Sequence, residues 1–208
     1  MARATTLVHG KYPLDSALLR QYNRTQQETV GQEMKSEPEA RKAAIALLSH
    51  DFYIEEDVEG RHWHRGNKVV YDLVVRPKEH LLAKAFDPGA VIVECKHFRQ
   101  DEGKAHDVKV RDLLWQCIAY SHSDITRSDS TSENPLFVLY WTSGCMDERG
   151  VKELNNLHHF VQRGGVGKLE AAKNGGWMMR FGGSYYYRSS IGKGPHNVGV
   201  KRMTGSSR

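Results

Sequence analysis

Two short apolar runs constrain this chain more than any other feature. Ala90-Val-Ile-Val-Glu94 and Leu136–Trp141 are almost uninterrupted by polar side chains. Continuous runs of this length suit strands buried on both faces, as in the centre of a parallel sheet. Between them lies a segment with helical spacing, about Val108 to His122. There Val110, Leu113, Leu114, Cys117, Ile118 and Tyr120 supply a packing surface. A strand, a helix and a second strand form a crossover, and such connections are right-handed.

The flanking segments complete an α/β expectation. Lys35–His50 reads as a helix: Ser36 can cap it, Pro38 sits just inside its start, and Ala40, Ala44, Leu47 and Leu48 share one side. Phe52–Val58 and Val69–Val75 read as strands around a Gly66-Asn67 turn, and Pro77 stops the second. Glu148–Gln162 reads as a helix ended by Gly164-Gly165. Ser121–Asn134 is polar and serine-rich, which predicts a loop. Trp177–Phe181 and Ser184–Tyr187 predict a hairpin around Gly182-Gly183. The expected fold is a central mixed β-sheet flanked by helices, with a C-terminal basic hairpin or tail. Residues 1–34 form an N-terminal extension, 35–165 the core, and 166–208 a basic Gly/Tyr-rich extension.

Composition narrows the partners. The net charge of +5 is uneven. Val151–Arg208 holds ten Lys/Arg against two Asp/Glu, a net of +8, which leaves −3 for the rest. A basic end beside a mildly acidic body suits contact with nucleic acid; the plainer alternative is a solubilising terminus. No apolar run approaches the roughly 18 residues that span a bilayer, and the N-terminus shows no apolar signal segment. A cytoplasmic or intracellular protein without membrane contact is expected. The three cysteines, Cys95, Cys117 and Cys145, are too few and too scattered for a disulfide framework or a cysteine-only metal site.

Three charged residues break the apolar strands. Asp72 interrupts Val69–Val75, and Glu94 ends the run that starts at Ala90. A buried carboxylate needs a cation or several donors. If the two strands pair, both carboxylates converge on one ion, and oxygen ligands favour Mg²⁺ or Mn²⁺ over zinc. Lys96 lies two residues beyond Glu94, hence on the same face, where its ammonium can serve an attacked phosphate. The Cys95 carbonyl adds a further oxygen, while its thiol points to the opposite face. A surface Glu–Lys pair beside a separately solvated Asp is the simpler alternative.

Asp72, Glu94-Cys95-Lys96 and the helix bearing Gln116-Cys117-Ile118-Ala119-Tyr120 resemble the PD-(D/E)XK nuclease superfamily, the restriction-endonuclease-like fold. The resemblance covers about Ser36 to Gln162. It implies a metal-dependent deoxyribonuclease in which Asp72 and Glu94 hold Mg²⁺ and Lys96 assists the attacking water. It further implies that Glu39, on the first core helix, binds or orients around a metal, and that Gln116 and Tyr120 form a Gln-x-x-x-Tyr pair like that of the recombination-exonuclease branch. Gln116 would bridge the lysine or a phosphate, and Tyr120 would brace the helix or meet nucleic acid. Glu39 also suits simple charge complementarity at a helix N-terminus, and Tyr120 simple packing.

The chain departs from the family pattern in two places. Tyr71 replaces the Pro before the Asp. The 22-residue step from Asp72 to Glu94 implies an inserted loop through Pro77, Asp87 and Pro88, expected to border the substrate. No cysteine cluster supports an iron–sulfur centre, and Gly192-Lys193-Gly194 lacks the pattern of a nucleotide-phosphate loop, so ATP is not expected.

Aromatic and cationic side chains of the C-terminal region suit an exposed polyanion: Tyr185 and Tyr187 for stacking, with Lys168, Lys173, Arg180, Arg188 and Lys193 for phosphates. DNA is the expected partner, RNA the alternative. A homodimer would cut both strands and a monomer would nick or trim. A second reading is a non-catalytic nucleic-acid-binding subunit that keeps a nuclease-like fold; a third is a small structural or partner-inhibiting protein. His62-x-His64 suits a solvent-facing turn better than a zinc pair.

Overall fold

A computed structural model describes residues 36–83, 86–99, 106–161, 164–172, 176–181 and, for the backbone, 184–188. Among the described residues the helices are α1 (Glu37–Leu48), the single-turn α2 (Glu79–Leu82), α3 (His106–Ser121) and α4 (Glu148–Val161). The strands are β1 (Phe52–His62), β2 (Lys68–Pro77), β3 (Val91–Phe98), β4 (Ser123–Thr126), β5 (Ser132–Glu133), β6 (Phe137–Gly144), β7 (Val166–Ala171), β8 (Trp177–Phe181) and β9 (Ser184–Arg188). All join one sheet in the order β5-β4-β1-β2-β3-β6-β7-β8-β9. β3, β6 and β7 run parallel, and the remaining neighbours are antiparallel. The chain is thus a mixed α/β structure with helices on both faces of a central mixed sheet.

The apolar runs occupy the centre. β3 is buried almost throughout and pairs with β6 from Val91↔Phe137 to Phe98↔Gly144. Alternate residues feed two cores. Leu73, Val75, Val91, Val93, Cys95 and Leu139 pack against Ala40, Ala44, Leu47 and Leu48 of α1. Val74, Ile92, Val138 and Tyr140 pack against Val110, Leu113, Leu114 and Cys117 of α3, with Leu154 and Val161 of α4. The small alanines let α1 approach the sheet closely. Its start is fixed by Ser36, whose hydroxyl accepts the Glu39 N–H at 3.4 Å, and by the proline in the first turn.

Two segments depart from the sequence expectation. Ser121–Asn134 is not a plain loop: β4 and β5 lie within it, and β4 extends the sheet beyond β1 through Gly60↔Ile125 to His62↔Ser123. The close approach depends on Gly60, where a Cβ would fall 2.1 Å from the Tyr71 hydroxyl and 2.3 Å from the Asp124 carbonyl. That hydroxyl donates to Ser123 Oγ at 2.9 Å and the Asp124 carbonyl at 3.0 Å, tying β2 to β4. Val166–Ala171 forms a strand, β7, parallel to β6, and so carries the C-terminal hairpin into the sheet. The hairpin pairs β8 with β9, with a register shift that leaves Tyr186 without a counterpart.

Among the described residues, no helix is long and apolar enough to cross a membrane.

Candidate functional sites at the two ends of α1

The ladder between β2 and β3 is short. It runs Val75↔Val91, Val74↔Ile92, Leu73↔Val93 and stops. The next register position would set Asp72 against Glu94. There the strands part, and the Asp72 carboxylate takes over the work of the ladder: its Oδ2 accepts the Cys95 N–H at 2.8 Å. Two residues along β2 from Asp72, Tyr120 reaches in from α3, its hydroxyl donating to the Val70 carbonyl at 2.8 Å. The two carboxylates therefore meet where a sheet that is closed on one side opens on the other.

The first turns of α1 face this opening. Arg41 reaches across it, bonding Asp72 Oδ1 through one guanidinium nitrogen and Asp57 Oδ1 at 2.8 Å through another. Asp57 lies on β1 beside Asp72 and adopts a positive φ of 51°, which Asp tolerates better than most residues. One turn earlier on the helix, Glu37 Oε2 lies 3.1 Å from Lys96 Nζ. Glu94 is nearly inaccessible, at 3% exposure. Burial, and after it the charge of Asp72, pushes its carboxyl up to about 8; Lys96 pulls the other way, while a hydrogen bond to Asp72 and the charge of Glu37 add to the rise. Four acidic residues, Asp72, Glu94, Glu37 and Asp57, thus stand around two cations, Arg41 and Lys96; Asp72 and Glu94 are mostly buried, Glu37 and Asp57 are not.

The remaining residues singled out from the sequence fall into three groups. Gln116 sits on α3 and donates to the Tyr120 hydroxyl at 2.6 Å. Tyr120 itself is 5% exposed and stands edge-on to Tyr71 at 4.9 Å. It is a brace; with ring and hydroxyl both engaged, it offers no face to a base. Glu39 is exposed, and the helix carboxylate that bonds Lys96 belongs to Glu37 instead. The helix phase explains this: positions 37 and 41 share a face, and position 39 lies far round the cylinder. The Cys95 thiol packs in the α1-side core, where burial raises its pKa further.

Lys168 and Arg180 lie opposite each other on β7 and β8, both paired with Glu170, at 3.0 and 3.2 Å. The register puts them in the same row as Glu94, but Tyr140 and its partner His158 stand between. Tyr185, Tyr187 and Arg188 belong to β9, and their side chains lie outside the described residues, as do Lys173 and Lys193 entirely. His62 closes a turn, its Nδ1 accepting the N–H groups of His64 and Arg65 at 3.3 and 3.4 Å.

The connector between β2 and β3 is elsewhere than expected. Because the strands are antiparallel, it leaves from the Val75/Val91 end, away from Asp72 and Glu94. It carries α2 to the other end of α1. There His50, Asp51 and His80 form a cluster that can hold a metal ion, with one ligand atom from each lying within 4.8 Å of the others. His50 Nδ1 and His80 Nε2 lie 2.7 and 2.8 Å from the same oxygen, Asp51 Oδ1, while the indole N–H of Trp177 donates to Oδ2 at 2.7 Å. Asp51 is buried and both histidines are exposed. Burial alone would raise the Asp51 pKa; the hydrogen bonds from His80, His50 and Trp177 outweigh it and hold the carboxyl below its ordinary value. Sequence reading missed this cluster. Its only local signal was His50-Asp51 at the end of a helix, with its third member thirty residues on.

No protein-family model, curated protein or solved structure matches this chain.

Proposed function

We propose that the chain is a metal-dependent deoxyribonuclease whose site is the opening between β2 and β3. The observation that carries this reading is the end of the β2–β3 ladder at Leu73↔Val93, one position short of Asp72 and Glu94. Two carboxylates gather there, with Lys96 adjoining through Glu37. Few structural needs are met by crowding buried acids together; it costs stability unless a cation joins them.

Asp72 and Glu94 would hold Mg²⁺, with the Cys95 carbonyl as a further oxygen donor. When bound, the ion polarises a phosphate and lowers the pKa of water. Lys96 offers a half-buried ammonium beside the carboxylates, placed to orient the attacking water and to offset negative charge on the phosphate. Glu37 restrains that ammonium. Gln116 and Tyr120 fix α3 against β2 and so hold the opening apart. Cys95 contributes its backbone N–H, which orients Asp72. DNA is the proposed substrate.

A second reading rests on Arg41. Its guanidinium already neutralises Asp72, which suits a nuclease-like subunit that binds nucleic acid without cutting it. One panel separates the two: linear, circular, nicked, single-stranded and branched DNA with Mg²⁺ or Mn²⁺, run beside Lys96→Ala and Asp72→Asn. A nuclease cleaves at least one substrate, and Lys96→Ala removes about three orders of magnitude of rate while keeping affinity. Salt-dependent binding without cleavage by the parent protein selects the second reading. Cleavage by Lys96→Ala at the parental rate ends the role assigned to Lys96.

A further inference from the structure

We infer that His50, Asp51 and His80 form a three-ligand site for a borderline divalent ion of the Zn²⁺ class, chemically separate from the carboxylate opening and serving to fasten α2 to the α1–β1 turn. Nothing in this inference requires the chain to be a nuclease.

Convergence is the first argument. Two ring nitrogens, from residues thirty positions apart, aim at one carboxylate oxygen. Two imidazoles with one carboxylate match the ligand preference of Zn²⁺ and its neighbours, whereas Mg²⁺ prefers oxygen throughout. Accommodation needs little movement. Ligand bonds of about 2.0–2.1 Å around a tetrahedral ion set donors roughly 3.3 Å apart, so each ring withdraws by about half an ångström. With side chains 56% and 41% exposed, both can do so. Binding replaces the protons now shared with Asp51 Oδ1. The fourth position is left to water.

The support around the ligands is the second, independent argument. A ligating carboxylate is ordinarily oriented by a hydrogen bond to its other oxygen. Trp177, fully buried in β8, provides that bond to Asp51 Oδ2. Its ring packs edge-on against Phe52 at 5.1 Å and Phe86 at 6.0 Å, so the donor is held by the core. The backbone on either side is equally fixed. The Lys78 N–H donates to the Asp51 carbonyl at 3.0 Å, and Lys78 Nζ to the carbonyls of Ser49 at 2.7 Å and His50 at 3.3 Å. Lys78 is a nearby cation that would oppose a metal, and its ammonium is turned to those carbonyls. The turn that carries His50 and Asp51 and the turn that carries His80 are therefore already joined, and the metal closes a preformed gap rather than folding one.

The test uses the full chain, titrated with Zn²⁺ against a chromophoric chelator at neutral pH, with Co²⁺ as a spectroscopic substitute. The expected result is a site that His80→Gln and, separately, His50→Gln each weaken tenfold or more, and that Asp72→Asn and Glu94→Gln leave unchanged. Co²⁺ should give visible d–d bands without the near-ultraviolet thiolate band that Cys145 would produce. Zn²⁺ should raise the melting temperature of the parent and of Asp72→Asn, but not of His80→Gln. Both histidines are exposed, and a cooperative urea transition in either variant shows that it folds. The inference is overturned if the parent binds no Zn²⁺, or if the two histidine variants retain its affinity. Loss of the Zn²⁺ site with intact Mg²⁺-dependent cleavage, or the converse, tells which of the two centres has failed.

Discussion

The two ends of α1 handle a buried carboxylate in opposite ways. At the C-terminal end, Asp51 collects three donors and its pKa falls below the ordinary range. At the N-terminal end, Glu94 is buried beside like charges and its pKa climbs. Burial is common to both, so burial does not decide the outcome; the partners do. The Asp51 end is satisfied as it stands, and a metal there would replace protons that the carboxylate already shares. The Glu94 end carries more carboxylates than cations, and a metal there would relieve repulsion. One end contributes stability unaided. The other costs stability, which agrees with the metal site proposed there.

The contrast breaks first at Asp51. Asp51→Ala leaves the Trp177 indole N–H buried without an acceptor and removes the anchor shared by both histidines. The expected loss is about 3–4 kcal/mol in urea unfolding, with Asp51→Asn losing less because it keeps an acceptor oxygen. A change below about 1 kcal/mol for the alanine variant would mean that this end is not satisfied in the sense argued here.

Glu94→Gln sharpens the other half, and its sign is opposite. In the folded chain the Glu94 carboxyl keeps its proton up to about 8, whereas the unfolded chain loses it near the ordinary value of 4.5. Between those pH values the folded state binds more protons than the unfolded one, so stability falls as pH rises through the window. Metal-free Glu94→Gln should therefore gain on the parent as pH goes from 5 to 8, by roughly 3–4 kcal/mol, as read from urea midpoints in chelator. A parent and variant that track each other across that range would show that Glu94 is not strained.

How much of this was legible beforehand follows the same physics. The strands at Ala90–Glu94 and Leu136–Trp141 were readable because burial on both faces writes a continuous apolar run. Asp72 and Glu94 stood out because a charge inside such a run is costly, and Lys96 followed from the two-residue period. β4 and β5 left no such trace: they are short and mostly polar, β5 at the edge of the sheet and β4 beside it, with β4 set by the Gly60–Tyr71 contact rather than by alternation. β7 is short, and Gly167 and Lys168 obscure its pattern; the glycine is there because Phe181 lies 2.7 Å from where its Cβ would be. The His50–Asp51–His80 cluster was illegible because the antiparallel β1–β2 pair, which ends at Phe52↔Pro77, and not the local sequence, delivers His80 to Asp51.

The smallest effect tests the finest of these distinctions, Glu37 against Glu39. Both are acidic residues in the first turn of α1, and both favour the helix N-terminus by their charge. Only the rotation of α1 about its axis makes them differ, and that rotation is set by Ala40, Ala44 and Leu47 seating on the sheet. The Glu37–Lys96 pair is partly exposed, with side chains 42% and 25% accessible, so its worth to stability is about 0.5 kcal/mol or less. Glu37→Gln and Glu39→Gln should therefore be nearly indistinguishable in urea. In a cleavage assay they should part: releasing Lys96 from Glu37 loosens the ammonium and lowers the rate by about tenfold, while Glu39→Gln stays within about twofold of the parent. Equal rates for the two variants would remove Glu37 from the site and leave Lys96 positioned by Asp72 and Glu94 alone.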